Sequence, residues 1–315
     1  MKNASFQTLL EDLKISIRFA VKNAISYVLA IIGVFLVTII LIGIVAAFVF
    51  IPILLSPTAL ESFILWAESF NELSLSGGMT IATGIFLIAL PFVAPFFVAT
   101  GALFGMSREI VESEGTSAEG VFTWYKKRFF SLAGGGIILF IFILGPVFLV
   151  ILGTVALFGD QILNVAFIGV GSSTIMNPLI SALGVIWFVV SSGLMTMLFP
   201  AIIDGYSVVE ATKKSIRMGI HYFDRIFGTW ISYILLILVL LVPVIIVPLT
   251  LGTIGPAMIG MAVYAVPMAL FIAFILLPAV SIGLTRVYMI LTADDEDLIP
   301  SESEDASGPS FIGGL

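Results

Sequence analysis

The stretch SYVLAIIGVFLVTIILIGIVAAFVFIPIL, residues 26–54, decides the fold class of this chain. It contains no charged residue, and it exceeds the ~20 apolar residues that a helix needs to cross a bilayer. The chain around it has 315 residues, of which 60% are hydrophobic and only 10% are charged, and its mean hydropathy is +1.22. Soluble domains carry about 25% charged residues. The composition therefore predicts an integral membrane protein.

Five further stretches are long and apolar enough to span a membrane. They lie at approximately 79–106, 130–158, 178–203, 227–254 and 257–290. The last two are separated only by GTIGP, in which Gly and Pro mark a tight turn. The pattern predicts an all-α polytopic membrane protein with six transmembrane helices arranged as three hairpins.

The basic residues predict the orientation of these spans. All 13 Lys and Arg residues fall before span one, between spans two and three, between spans four and five, or at the end of span six. The opposite loops contain none, and these loops lie at 55–78, 159–177 and 251–256. By the positive-inside rule the basic side is cytoplasmic. We therefore expect a multi-pass protein of the cell membrane with both termini cytoplasmic. The N-terminus lacks the pattern of a cleaved signal peptide, so we expect it to be retained.

Three polar segments with one shared layout precede the odd-numbered spans. They are TLLEDLKISIR (8–18), TSAEGVFTWYKKR (116–128) and SVVEATKKSIR (207–217). Each has a hydroxyl residue, a glutamate three residues later and a base ten residues later. The pattern S/T-x-x-E is a capping box, so each segment is predicted to open an amphipathic helix that lies in the cytoplasmic interface.

Each of these helices has a predicted apolar face and a predicted basic face. The apolar faces comprise Leu10, Leu13, Ile17, Val21 and Ala24 in the first helix, Ala118, Val121, Tyr125 and Phe129 in the second, and Val209, Ile216, Ile220, Phe223 and Phe227 in the third. We expect anionic lipid headgroups as partners of the bases. These bases are Lys14, Arg18, Lys22, Lys126, Lys127, Arg128, Lys213, Lys214, Arg217 and Arg225.

The shared layout predicts a threefold internal repeat within a membrane domain at 1–293. Its units, at about 6–106, 114–205 and 206–293, each contain an interfacial helix, an outward span, an outer loop and an inward span. Helix kinks are predicted late in the inward spans at Pro95, Pro200 and Pro278. These kinks either line a cytoplasmic cavity or reflect the general frequency of proline in membrane helices.

The segment FPAIIDGYSVVEATKKSIRMGIHYFDRIFG, residues 199–228, resembles a loose family signature. It is similar to the six-span membrane domain fused to some bacterial glycerophosphoryl diester phosphodiesterases, and to related bacterial and archaeal membrane proteins. The positions that match the family pattern are Pro200, Asp204, Gly205, Glu210, Ala211 and Ser215. The resemblance implies a six-span fold. It implies no hydrolase activity, because the soluble phosphodiesterase barrel with its acidic metal ligands is absent from this chain.

The sequence offers no residues for a catalytic, cofactor or metal site. Cysteine is absent and His221 is the single histidine, which excludes thiolate chemistry and leaves little room for imidazole chemistry. Nucleic acid is not an expected partner. The segment 294–315 carries seven carboxylates and no base, and it is predicted to be a disordered cytoplasmic tail that could dock a basic protein partner.

The leading hypothesis from the sequence is a non-enzymatic membrane protein that organises lipid or a protein partner at the cytoplasmic face. The alternative is a permease or lipid-handling transporter whose cytoplasm-facing cavity is lined by proline-kinked helices. An intramembrane lipid-modifying enzyme is the least favoured class, because no cluster of His, Asp or Glu falls within the spans.

Overall fold

The fold is helical throughout the part of the chain that a computed structural model describes, residues 6–68, 75–113, 115–158, 176–251 and 255–296. Most of the predicted tail and most of the predicted outer loop at 159–177 lie outside these ranges. The helices are α1 (Phe6–Lys22), α2 (Ala24–Leu55), α3 (Pro57–Glu68), α4 (Leu75–Ser113), α5 (Ala118–Lys127), α6 (Phe129–Phe158), α7 (Met176–Met195), α8 (Leu198–Asp204), α9 (Val208–His221), α10 (Phe223–Leu251), α11 (Gly255–Phe271) and α12 (Leu277–Glu296). A π-helical turn, Ile272–Leu276, joins α11 to α12.

The six predicted spans are confirmed as six helical segments that are long and apolar enough to cross a membrane. They are Ala24–Leu55, Phe86–Ser113, Phe129–Val150, Ala182–Asp204, Phe223–Val244 and Val263–Ala293. Large apolar side chains point outward along them, and Ile39, Val185 and Val239 are 61%, 63% and 65% exposed. Such exposure is favourable only where the surrounding solvent is hydrocarbon. The chain is therefore a multi-pass membrane protein.

Three shorter helices, α1, α5 and α9, are each separated by a single residue from the odd-numbered span that follows. We call them the pre-span helices. The separating residues are Asn23, Arg128 and Tyr222. Each of these residues donates its backbone N–H to the carbonyl four residues earlier, at 3.0, 3.0 and 2.8 Å respectively. Because the hydrogen bonding continues through the break, each pre-span helix leads into its span without a loop.

Only one of the three predicted capping boxes forms. Ser207 caps α9, and both reciprocal hydrogen bonds with Glu210 are present. The prediction is wrong at Thr116, because α5 begins after Ser117 and the Thr116 hydroxyl donates instead to Glu109 at 2.8 Å. It is also wrong at Thr8, because α1 is already helical from Phe6 onward. A short S/T-x-x-E match cannot by itself locate a helix start, since neighbouring residues compete for the cap.

The inward spans form the centre of the bundle. Helices α4, α8 and α12 contact one another pairwise, and they contain half of the largest fully buried side chains of the described residues, including Met106, Ile202 and Leu291. Because the spans alternate in direction, the starts of the odd spans and the ends of the even spans meet at one end of the bundle. We call this the basic end, because the described lysines and arginines lie there.

The three predicted kink prolines, Pro95, Pro200 and Pro278, are buried at this centre. Two of them follow an interruption of their helix. A turn at 196–197 precedes Pro200, and the π-helical turn at 272–276 precedes Pro278, whereas Pro95 lies inside the continuous helix α4. The three prolines are thus buried in the protein, and whether they kink their helices or line a cavity stays a prediction.

Each pre-span helix packs against the pair of spans that comes before it around the bundle. Helix α5 contacts α2 and α4, and helix α9 contacts α7 and α8. Helix α1, at the start of the chain, contacts α10 and α12, which belong to the last two spans. The chain is consequently closed into a ring in which its first helix lies against its last span.

Candidate functional site: polar clusters at the basic end

A polar cluster, the axial cluster, forms where the three inner helices meet. Asp204, the last residue of α8, accepts hydrogen bonds from Arg108 Nη1 on α4 at 2.8 Å and from the Tyr288 hydroxyl on α12 at 2.9 Å. Arg108 also donates through Nε to Glu112 at 2.8 Å. The Asp204 and Arg108 side chains are 28% and 29% exposed. The cluster therefore joins all three inner helices at a position that water reaches.

A chain of hydroxyl groups lies deeper along the same helices. Tyr27 of α2, Ser107 of α4 and Ser281 of α12 are buried, and the oxygens of successive members are 2.8 Å apart. The Ser107 hydroxyl also donates a hydrogen bond to the backbone carbonyl of Leu103 in its own helix. The Ser281 hydroxyl likewise donates to the backbone carbonyl of Pro278. Burying three hydroxyl groups costs little when each has a partner, so this chain ties the inner helices together without charge.

A second charged cluster, the closure cluster, connects the first helix to the last two spans. Asp12 of α1 accepts a hydrogen bond from Arg225 of α10 at 2.8 Å and another from Arg286 of α12 at 2.5 Å. The side chains of Asp12 and Arg225 are 5% and 4% exposed, and that of Arg286 is 27% exposed. One turn along α1, Ser16 Oγ lies 2.5 Å from the hydroxyl of Tyr233 on α10.

The closure cluster holds two guanidinium groups around one carboxylate. Removing charges from water costs several kcal/mol per ion, and only close opposite charges with good geometry return that cost. The carboxylate of Asp12 is placed to meet both guanidinium groups at once. Both clusters hold helices in position relative to one another, the axial cluster α4, α8 and α12 and the closure cluster α1, α10 and α12. Among the described residues, no group of three His, Asp or Glu side chains could hold a metal ion.

The outer surfaces of α1 and α9 match residue for residue in the register of the sequence motif. Leu10 and Val21 of α1 are 48% and 56% exposed, and their counterparts in α9, Val209 and Ile220, are 58% and 67% exposed. Beside this apolar edge runs a basic edge. It consists of Lys14, Arg18 and Lys22 in α1 and of Lys213, Arg217 and His221 in α9, all exposed.

The two helices thus have three faces where the sequence suggested two. The third face packs against the protein, and it consists of Asp12, Ser16 and Ala20 in α1 and of Ala211, Ser215, Met218 and Gly219 in α9. Small residues allow close approach, and Ser215 donates to the carbonyl of Leu194 at 2.7 Å. In α5 the predicted apolar residues Val121 and Tyr125 are themselves buried in the protein.

The other predicted interface residues have mixed environments. Lys126 and Lys127 of α5 are exposed, and Lys127 Nζ lies 5.0 Å from the centre of the Trp124 ring. Arg128 is half-buried. Lys214 is also half-buried, and it donates to the Tyr206 hydroxyl at 2.8 Å. These two residues have less freedom to contact lipid than the exposed bases.

Arg225 departs from its expected place at the headgroups, because its guanidinium group is buried against Asp12. Sequence reasoning also missed Asp12, Arg286 and Tyr233 as partners. Asp12 is separated from Arg225 by 213 positions and from Arg286 by 274, so no local pattern could pair them. The available signal was that Asp12 and Ser16 share one helix face with Ala20, at a spacing of four residues.

Compared with known proteins, the chain matches no family model, no curated protein and no solved structure. The resemblance carried by residues 199–228 therefore remains a prediction from those residues alone. The class that the fold defines is a multi-pass membrane protein with six candidate spans. Within that class, the arrangement at the basic end is the basis for a function.

Proposed function

We propose that the protein is a non-enzymatic component of the cell membrane that gathers anionic lipid headgroups at its cytoplasmic face through α1 and α9. The observation that carries the proposal is the matched pair of outer surfaces on these helices. In each, an apolar edge adjoins a basic edge along the exposed side. A helix of this kind lies in the interface plane with its apolar edge among acyl chains and its bases at the headgroup level.

The expected strength of this lipid preference follows from the charge. A Lys or Arg near an anionic surface contributes about 1 kcal/mol. The four bases at equivalent positions are Lys14, Arg18, Lys213 and Arg217, so together they supply roughly 4 kcal/mol at most. The opposite ends of the spans carry no described base, which favours a preference restricted to one leaflet and the orientation predicted by the positive-inside rule.

The ring of pre-span helices supports the further proposal of a threefold repeat. In the register of the sequence motif, Ser16, Trp124 and Ser215 are equivalent positions. Each side chain bonds to the pair of spans that precedes its own helix around the bundle. Ser16 forms a hydrogen bond with the Tyr233 hydroxyl, Trp124 donates to Glu109 at 2.8 Å, and Ser215 donates to the carbonyl of Leu194. The partner groups differ, being a tyrosine hydroxyl, a carboxylate and a backbone carbonyl, so the support for one unit used three times is the shared position of the bonding side chain in the three helices.

Native mass spectrometry tests the lipid preference directly. The purified protein is offered equal amounts of phosphatidylglycerol and phosphatidylcholine in detergent, and we expect it to retain phosphatidylglycerol preferentially. The variant carrying Lys14→Gln, Arg18→Gln, Lys213→Gln and Arg217→Gln should lose that preference. The control variant, Glu11→Gln with Glu119→Gln, changes exposed carboxylates on two pre-span helices and should keep it. Equal retention of both lipids by the unmodified protein would refute the proposal.

A permease is the second candidate function. The observation in its favour is that two inner spans are interrupted beside buried prolines, at 196–197 before Pro200 and at 272–276 before Pro278. Transporters commonly place broken helices at their substrate path, and π-helical turns are frequent at functional sites. In this reading the packed basic end is a closed gate.

Accessibility at Ser281 distinguishes a gate from a permanent core. Ser281 is buried below the axial cluster, and the chain contains no native cysteine. In inside-out vesicles, Ser281→Cys should react with a small charged maleimide if the basic end opens during function. The exposed variant Lys213→Cys provides the reference for full reaction. If Ser281→Cys does not react while Lys213→Cys is fully labelled, the permease hypothesis is refuted.

A further inference from the structure

The basic edge of α9 forms a shallow open depression on the surface of the protein. Its lining residues are Lys213, Ile216, Arg217, Ile220 and His221. Two exposed cations and one exposed imidazole thus lie beside two aliphatic side chains. A complementary partner would be an extended acidic segment that also presents aliphatic residues.

The end of this chain has that composition. The segment from Asp294 to Asp305 reads DDEDLIPSESED and contains seven carboxylates, no base, and the aliphatic pair Leu298 and Ile299. The whole chain has 13 basic and 20 acidic residues, so the remainder is balanced at 13 of each. The formal net charge of −7 at neutral pH is therefore carried by this segment alone.

The geometry places the start of this segment close to α9. Helix α12 is helical to Glu296, and eight residues earlier Tyr288 lies beside α9, with its ring centre 5.2 Å from Lys214 Nζ. At 1.5 Å per helical residue, the end of α12 is only ~12 Å further along the axis. The nine residues at 297–305 could extend by roughly 30 Å. Helix α9 has 14 residues and is therefore only ~21 Å long, so the depression on it lies within reach of this segment.

We propose that residues 297–305 of the chain dock on the basic edge of α9 and compete there with anionic lipid headgroups. The carboxylates of Asp297, Glu302 and Glu304 pair with Lys213 and Arg217, and Leu298 and Ile299 cover the aliphatic floor. Tethering to α12 raises the local concentration of the segment, so weak surface pairs suffice for occupancy. The competition rests on the proposed function, whereas the docking does not.

Because exposed ion pairs are screened by salt, the docking should respond to ionic strength. It should also weaken when anionic lipid supplies competing phosphates. The segment therefore sets a minimum surface density of anionic lipid. Below that density the headgroups do not displace the segment from α9.

Paired cysteines test the docking, since the chain has no native cysteine. The test pair is Ser303→Cys with Ile220→Cys, where Ile220 is 67% exposed on α9. The control pair is Ser303→Cys with Phe130→Cys, where Phe130 is 87% exposed at the start of α6. In phosphatidylcholine nanodiscs, a short bis-maleimide should cross-link the test pair at least fivefold faster than the control pair.

Three changes should each slow the cross-linking of the test pair at least threefold: raising the salt from 50 mM to 500 mM, adding Lys213→Gln with Arg217→Gln, and replacing half of the lipid by phosphatidylglycerol. Equal rates for the two pairs, or no effect of salt, overturn the docking. An unchanged rate with phosphatidylglycerol overturns the competition. Failure of the lipid preference itself is read separately by native mass spectrometry of the unmodified protein.

Discussion

At the scale of single residues, Asp12 is the position where the fold depends most on one charge. Its carboxylate accepts from both Arg225 and Arg286. Asp12→Asn leaves these two guanidinium groups close together around a neutral amide, and breaking a buried pair on one side costs about 3–5 kcal/mol. We expect a large fall in the thermal unfolding midpoint in detergent. Glu11→Gln, at the adjacent exposed carboxylate, should have almost no effect, and equal midpoints for the two variants would contradict the assignment.

Ser207 and Ser117 provide a matched comparison of helix caps. Both are N-cap residues, but only the Ser207 side chain accepts a backbone hydrogen bond, from Glu210. Ser207→Ala should therefore weaken the start of α9 by ~1 kcal/mol, and the amides of 208–211 should exchange hydrogen faster. Ser117→Ala should leave the first turn of α5 unchanged. Faster exchange in both helices would mean that the serine bond is not the cause.

The pH dependence of this cap follows from Glu210. Hydrogen bonds from the side chain and the backbone N–H of Ser207 lower the pKa of the Glu210 carboxyl below its ordinary value of 4.5. A lowered folded-state pKa stabilises the cap above the ordinary value, and that stabilisation is lost as the pH falls through the lowered pKa. The difference in amide exchange between the unmodified protein and Glu210→Gln should therefore be constant at neutral pH and vanish in acid. A difference that persists in acid would exclude the carboxylate as its source.

At the scale of elements, Gly219 determines how closely α9 approaches α7. A β-carbon at this position would lie 3.2 Å from the Leu194 Cα and 3.1 Å from its Cδ2. Because the backbone of α7 cannot move aside as a flexible side chain could, Gly219→Ala should separate the helices and destabilise the protein by about 1–3 kcal/mol. Gly184→Ala is the control, since a β-carbon there meets nothing within 4 Å. It should be neutral or slightly stabilising in thermal unfolding.

The elements themselves were largely predictable from the sequence, and their contacts were not. A span such as α2 is recognisable because its apolar run has no competing interpretation, and a pre-span helix such as α9 is recognisable from its periodic charges. Which face of α1 enters the protein depends on residues more than 200 positions away, at Arg225 and Arg286. Lys14 and Lys213 of the predicted basic faces are exposed, whereas the buried face that contains Asp12 was missed.

At the scale of the whole molecule, the orientation of the bundle can be measured with single cysteines. The variants Lys14→Cys, Lys126→Cys and Lys213→Cys place a thiol at the basic end on the three pre-span helices, and Glu61→Cys places one on α3 at the opposite end. If the positive-inside rule holds, a membrane-impermeant maleimide added to intact cells should label only Glu61→Cys. After the membrane is permeabilised, all four variants should react. Labelling of the lysine positions in intact cells would reverse the orientation and remove the basis for docking at the cytoplasmic leaflet.

The contact between the inner helices α4 and α12 makes a final prediction that joins distant parts of the chain. Ser107 and Ser281 belong to the second and sixth spans, 174 positions apart, yet their hydroxyl oxygens are separated by 2.8 Å. In Ser107→Cys with Ser281→Cys, mild oxidation should form a disulfide, because the two side chains already meet. The bond closes a long loop in the unfolded chain, so it should stabilise the protein by about 2–4 kcal/mol and raise the unfolding midpoint. The control pair, Ser62→Cys with Ser281→Cys, places its thiols at opposite ends of the bundle and should stay reduced. If the test pair also stays reduced while each thiol remains intact, α4 and α12 do not meet as described, and the axial cluster that depends on their contact would have to be abandoned with them.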